Sequence, residues 1–207
     1  SDAAMLTIKN KCSHKVWPAI LSAGGTWPLP TTGFALQPEE SNSITVPPNW
    51  SGKVWGRTFC SHNITGNFSC LTGDCGLFEC AGRDAVPPVT LAEFTLNNNA
   101  ELDYFDVSLR DGFNLPVRVE PLGGTGAGNC RATSCWKDLN RKCPIELKVI
   151  GGGEGVVACK SACQAEACNS TSFSQFFKSK CPDAYDHVSF TCASADYTII
   201  FCPASST

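Results

Sequence analysis

The chain has 207 residues, 43% of them hydrophobic and 17% charged, with 14 cysteines, 18 glycines, 13 prolines and a net charge of −3. Apolar residues along the whole length exclude a disordered chain, and no apolar run approaches the ~18 residues of a membrane helix. The acidic balance argues against binding nucleic acid through its phosphates, which needs a basic footprint.

Taken in chain order, short runs of period two predict strands at Leu6–Lys9, Ile44–Val46, Thr90–Leu96, Tyr104–Leu109, Val117–Glu120 and Tyr197–Cys202. Clusters such as Gly24-Gly25 and Pro47-Pro48-Asn49 separate them as turns. Many short strands between Pro-rich turns predict a mostly β chain, an antiparallel sandwich or barrel. One helix is predicted where Phe173, Phe176 and Phe177 fall at i, i+3 and i+4, after Ser170-Thr171-Ser172 and before Cys181-Pro182. Gly123–Gly128 and Gly151–Gly155 read as connectors. Neither joins a strand to a helix, and no Gly-Lys-Ser/Thr follows.

Fourteen cysteines in a chain of this size mean metal sites or an oxidising compartment. Ligand pairs such as C-x2-C or H-x3-H are absent, and His14, His62 and His187 have no partner at ligand spacing. No metal or cofactor is therefore expected. The even count predicts seven disulfides, an extracellular location and no free cysteine nucleophile. Four sequons, at Asn49, Asn63, Asn67 and Asn169, predict a glycoprotein. No leader pattern opens the chain, which reads as a mature form with patterned sequence from Leu6. A serine hydrolase is disfavoured because no G-x-S-x-G elbow occurs.

Alternation also locates the acids. In Leu91–Leu96 the residues Ala92, Phe94 and Leu96 take one face and leave Glu93 on the other. In Tyr104–Leu109 the residues Phe105, Val107 and Leu109 take the core face, so Tyr104 and Asp106 face outward. If the two strands are neighbours, Glu93 and Asp106 share one exposed face, with Asp111 just beyond the strand end. Together with Tyr104 and Phe113 they would form a sugar-binding cleft. Two carboxyls with separated pKa values are what glycoside hydrolysis needs. The plainer reading of outward acids on a strand is a solvated face. Trp17 and Trp55 are expected in packing, whereas Trp50, in a turn, could reach the surface.

Gly66-Asn67-Phe68-Ser69-Cys70-Leu71-Thr72-Gly73-Asp74-Cys75, followed by Cys80, closely resembles the signature of the thaumatin-like (osmotin) family. Further matches are Val54–Thr58, Pro87–Phe94, Asp106–Pro116, Cys181–Tyr185 and Phe201-Cys202-Pro203, so the resemblance covers essentially the whole chain. It implies a flattened antiparallel β-sandwich in three stretches (1–57, 87–129 and 182–207). A small disulfide loop lobe (58–86) and a disulfide-rich lobe with one helix (130–181) complete the chain. The implied disulfides are Cys12–Cys202, Cys60–Cys70, Cys75–Cys80, Cys130–Cys192, Cys135–Cys181, Cys143–Cys159 and Cys163–Cys168. Plant members commonly have sixteen cysteines, and the missing pair falls just after Cys163.

The family's cleft of one Arg, one Glu and three Asp is associated with antifungal activity, β-1,3-glucan binding and, in some members, weak endo-β-1,3-glucanase activity. Carried over by position, the Glu is Glu93 and two of the Asp are Asp106 and Asp111. The Arg position holds Lys53, which keeps the charge but loses the planar fork. The third Asp position lies in a shortened loop where only Asp186 is available. The expected function is therefore a secreted, monomeric defence-type protein that binds glucan or another wall polysaccharide in an acidic cleft. Two alternatives stand beside it. One is a weak glucanase with Glu93 as acid and Asp111 or Asp106 as partner, and the other is the ectodomain of a receptor kinase. Strong membrane binding is not expected of an acidic chain.

Overall fold

The computed structural model describes residues 3–24, 26, 29–98, 102–126, 129–162 and 171–204. Twelve strands occur among them: β1 (Ala4–Asn10), β2 (Trp17–Ser22), β3 (Ser41–Val46), β4 (Ser51–His62), β5 (Phe68–Thr72), β6 (Leu91–Asn98), β7 (Leu102–Ser108), β8 (Val117–Thr125), β9 (Thr133–Cys135), β10 (Lys148–Gly151), β11 (Gly155–Cys159) and β12 (Phe190–Phe201). Two helices, α1 (Thr171–Lys180) and α2 (Pro182–Tyr185), lie between β11 and β12. No described helix is long and apolar enough to cross a membrane.

One strand organises the layers. The first residues of β12, Phe190–Cys192, pair with β7, continuing the order β2-β4-β6-β7. From Ala193 the same strand pairs with β8, and past Ser194, whose φ is +58°, it pairs with β1 as well from Tyr197 on. A kink in a shared strand thus curls one set of strands over the other. All pairings are antiparallel except β1 with β12, which run parallel. Tyr197 of β12 joins the layers, its ring 5.5 Å from Phe94 and 5.0 Å from Phe105. Its hydroxyl donates to Asp103 Oδ2 at 2.7 Å, so a fully buried Tyr has its polar end satisfied.

Each period-two run falls on a strand, with Thr90, Leu109 and Cys202 one residue beyond the strand ends, and β1 starts two residues ahead of the pattern, at Ala4 paired with Val46. Gly123 and Gly124, read as part of a connector, instead belong to β8, where Gly123 pairs with Ala195 and Thr125 with Ala193. A Cβ on Gly124 would lie 2.7 Å from that of Ala195, and its φ is +78°. Glycine is thus what lets β8 follow the kinked strand. The second glycine run forms the turn of the β10–β11 hairpin. Strand β4 runs on through residue 57 into β5, so the loop lobe extends the sheet. Arg57 ties that lobe down. Fully buried, it donates to the carbonyls of Trp17 and Pro18 on β2 and of Leu77 in the loop.

Six disulfides close among the described residues: Cys12–Cys202, Cys60–Cys70, Cys75–Cys80, Cys130–Cys192, Cys135–Cys181 and Cys143–Cys159. Cys163 and Cys168 lie outside the described residues, as does Asn169. Helix α1 buries Phe177 against the core, with Phe173 and Phe176 partly covered. Asn49, Asn63 and Asn67 are exposed.

Candidate functional site

Lys53 on β4 faces Glu93 on β6, and Glu93 faces Asp106 on β7, so the three form one row across three adjacent strands. Strand alternation explains their direction. Val54, Ala92, Phe94, Phe105 and Val107, their immediate neighbours, are buried on the opposite face. The row lies in a cleft of about 480 Å³ that Tyr104, Thr95, Ser189 and the Leu21–Gly24 segment also line. Beneath it sits Trp50. Contrary to the expectation of a surface residue, it is fully buried, and its Nε1–H donates to Ser22 Oγ at 2.9 Å. Gly52 passes directly over this ring, where a Cβ would come within 2.5 Å of it. The indole props the cleft floor and takes no place in the cleft.

The electrostatics of the row centre on Asp106. Burial, then a hydrogen bond to Glu93, then the charge of Glu93 push its carboxyl up to about 8, against an opposing pull from Arg110. At neutral pH Asp106 therefore keeps its proton and shares it with Glu93. Its Oδ1 is buried and has no hydrogen-bond partner among the described residues. Lys53 Nζ contacts Asp84 Oδ1 at 2.7 Å, an ion pair with a loop carboxylate 31 positions away in the chain. Its ammonium is thus held at the end of the row.

The other candidates fall elsewhere. Asp111 occupies the turn after β7, where its carbonyl accepts the Val89 N–H at 2.9 Å, and it does not line the cleft. Asp186 ends α2, exposed, with Lys178 at 3.9 Å, and also does not line it. Phe113 cannot serve as a cleft aromatic. It is fully buried and exchanges backbone hydrogen bonds with Cys159, because the tight turn at Gly112 drives it into the core. Tyr104 is the aromatic of the pair that reaches the cleft.

Two residues escaped the sequence reading. Asp84 carried no signal in its loop. His187, near the rim residue Ser189, has a φ of +54° and its Nδ1 lies 3.2 Å from Ser108 Oγ. Burial, reinforced by Arg110, lowers its pKa, while Glu93 and Asp186 act the other way. It therefore borders the acidic row as a neutral ring. A metal between Cys12, His14 and Cys202 is not available, since both sulfurs are in one disulfide.

Comparisons with known proteins agree with this architecture. A model of the Thaumatin family matches residues 10–203. A pathogenesis-related thaumatin-like protein 3.5 of Cryptomeria japonica is 45% identical over 99% of this chain and 92% of its own. Thaumatin-like protein 1 of Arabidopsis thaliana is 46% identical over 99% and 88%. A PR5-like receptor kinase of Arabidopsis thaliana is 43% identical over 95% of this chain, which spans 34% of that protein. Among solved structures, a thaumatin-like xylanase inhibitor superposes with a TM-score of 0.55 over 96% of this chain and 99% of its own, at 24% identity. With the family model matched from strand β1 to the last disulfide, and relatives this similar over nearly their whole length, the protein belongs to the thaumatin family.

Proposed function

We propose that the cleft binds a neutral β-1,3-glucan and holds it without efficient hydrolysis, as part of a secreted, monomeric defence protein. The observation that carries this reading is the Glu93–Asp106 pair. Glu93 and Asp106 stand side by side in the cleft, and their carboxyl oxygens present acceptor sites to sugar hydroxyls without the repulsion of two full charges. Tyr104 adds an apolar ring surface beside them. The same pair is a poor hydrolytic couple. Retaining glycosidases hold their carboxyls about 5–5.5 Å apart and inverting ones about 6.5–9.5 Å. Glu93 and Asp106 stand directly opposite each other on neighbouring strands, close enough that one raises the pKa of the other, and Asp111 lies off the cleft. The names of the relatives favour the defence role, and the disulfides favour an extracellular site of action.

The test is retention on laminarin together with a reducing-sugar assay. The parent should be retained and release no sugar above background, and Glu93→Ala should lose retention while keeping the parent's near-ultraviolet circular dichroism. Unchanged retention of Glu93→Ala would remove the cleft from the account. Sugar release that Glu93→Ala abolishes would replace the binding reading with weak endoglucanase activity. The match to a third of a receptor kinase supports a second reading, in which the same cleft is the ligand-binding part of an ectodomain. A membrane span encoded downstream of Thr207 would favour it.

A further inference from the structure

Charge is unevenly distributed along the chain. Residues 130–181 hold eight of the sixteen Lys and Arg but four of the nineteen Asp and Glu, so this stretch carries +4 and the remainder −7. The fold gathers part of the surplus around a groove of about 270 Å³ on the disulfide-rich lobe. Trp136, Lys137, Arg141 and Lys142 from the segment after β9 form one wall, and Phe176 and Lys180, one helical turn apart on α1, form the other. Asp138 borders the same groove, where its Oδ1 accepts the Asn140 N–H.

None of the four cations takes part in an ion pair among the described residues, although Lys137 Nζ lies 5.6 Å from the centroid of the Trp136 ring, whose other face is the one left for a ligand. Like charges crowded at one opening repel, and an anion placed among them removes that cost. Trp136 is half-buried and also lines the adjoining depression, of about 420 Å³, with His14 and Phe59. The two depressions have Trp136 and Asp138 in common as lining residues.

The residue types narrow the ligand. An indole face attracts the weakly positive C–H groups of a pyranose. Lysines act as separate, flexible point charges that can meet carboxylates spaced along a chain, and the single arginine adds a planar fork for one of them. The groove has three lysines and one arginine. We infer that this groove binds a linear acidic polysaccharide with one carboxylate per sugar, one ring stacked beside Trp136 and its carboxylates paired with Lys137, Arg141, Lys142 and Lys180. It shares no residue with the cleft, so a neutral glucan and an acidic polymer can be held together.

Binding of the intact protein to de-esterified polygalacturonate, measured by titration calorimetry, tests the site. The parent should bind, and binding should weaken as salt rises from about 0.1 M to about 1 M, where the screening length falls from about 10 to about 3 Å. The triple variant Lys137→Gln/Arg141→Gln/Lys142→Gln should bind roughly tenfold more weakly or worse, from the loss of three exposed ion pairs. Its melting temperature and laminarin behaviour should match the parent's. Trp136→Leu, checked for retained melting temperature, should also weaken binding, and fully methyl-esterified polymer should not bind. Unchanged affinity in the triple variant overturns the proposal. So does dextran sulfate binding as tightly as polygalacturonate with no effect of Trp136→Leu, the outcome expected of a mere charge patch.

Discussion

At Asp106 a carboxyl keeps its proton to about pH 8 because burial and Glu93 both disfavour a second negative charge. The unfolded chain releases that proton near pH 4. Between these values the folded protein binds more protons than the unfolded one, so this group makes stability fall as pH rises. Asp106→Asn keeps the site neutral at every pH. Its melting temperature relative to the parent should therefore climb from about pH 4 to about pH 8 and level off above that, and a pH-independent difference would contradict the shared proton. Alternation alone placed Glu93, Tyr104 and Asp106 on one outward face, because a strand imposes it within a few residues. Phe113 shows the limit of that rule. It follows a turn whose direction depends on β11, more than forty residues later in the chain, and it points into the core.

At the level of elements, the kink in β12 decides which strands meet. Its partner β8 accommodates it with a glycine at position 124, where a side chain has no room. Gly124→Ala should cost about 1–3 kcal/mol in urea unfolding, from the crowding against Ala195 and the positive φ. Gly152→Ala, with nothing within 4 Å of the new Cβ, should stay within about 0.5 kcal/mol of the parent. Equal effects at the two sites would mean that β8 does not depend on close approach. The phenylalanine spacing of α1 and the alternating runs were legible because each element has its own period. The glycines of β8 were not, because a tight strand pairing and a loose connector share the same composition.

For the whole molecule, the disulfides tie distant stretches of the chain into one large buried core. Cys12–Cys202 joins positions 190 apart, beside the end of β1 and of β12, the parallel pair that closes the layers. Replacing both cysteines by Ser should lower the unfolding free energy by about 2–4 kcal/mol, through the freedom returned to the unfolded chain. The corresponding change at Cys75–Cys80, which spans only 5 positions, should cost less. An equal or larger loss there would show that local geometry, and not chain closure, sets the effect. The acidic sandwich and the basic lobe belong to this scale too, since one fold presents two surfaces of opposite charge.

What the chain determined by itself was local: strands from period two, one helix from the spacing of its phenylalanines, an oxidised fate from fourteen cysteines, and the outward face of Glu93 and Asp106. Its motifs carried the family resemblance over the same span. Tertiary structure decided which charges meet. It set Lys53 against Asp84, raised the pKa of Asp106 beside Glu93, set His187 against Ser108 and left Asp111, Asp186 and Phe113 outside the cleft. Side-chain periodicity acts over two to four residues, whereas a pKa or an ion pair depends on neighbours brought together from distant segments.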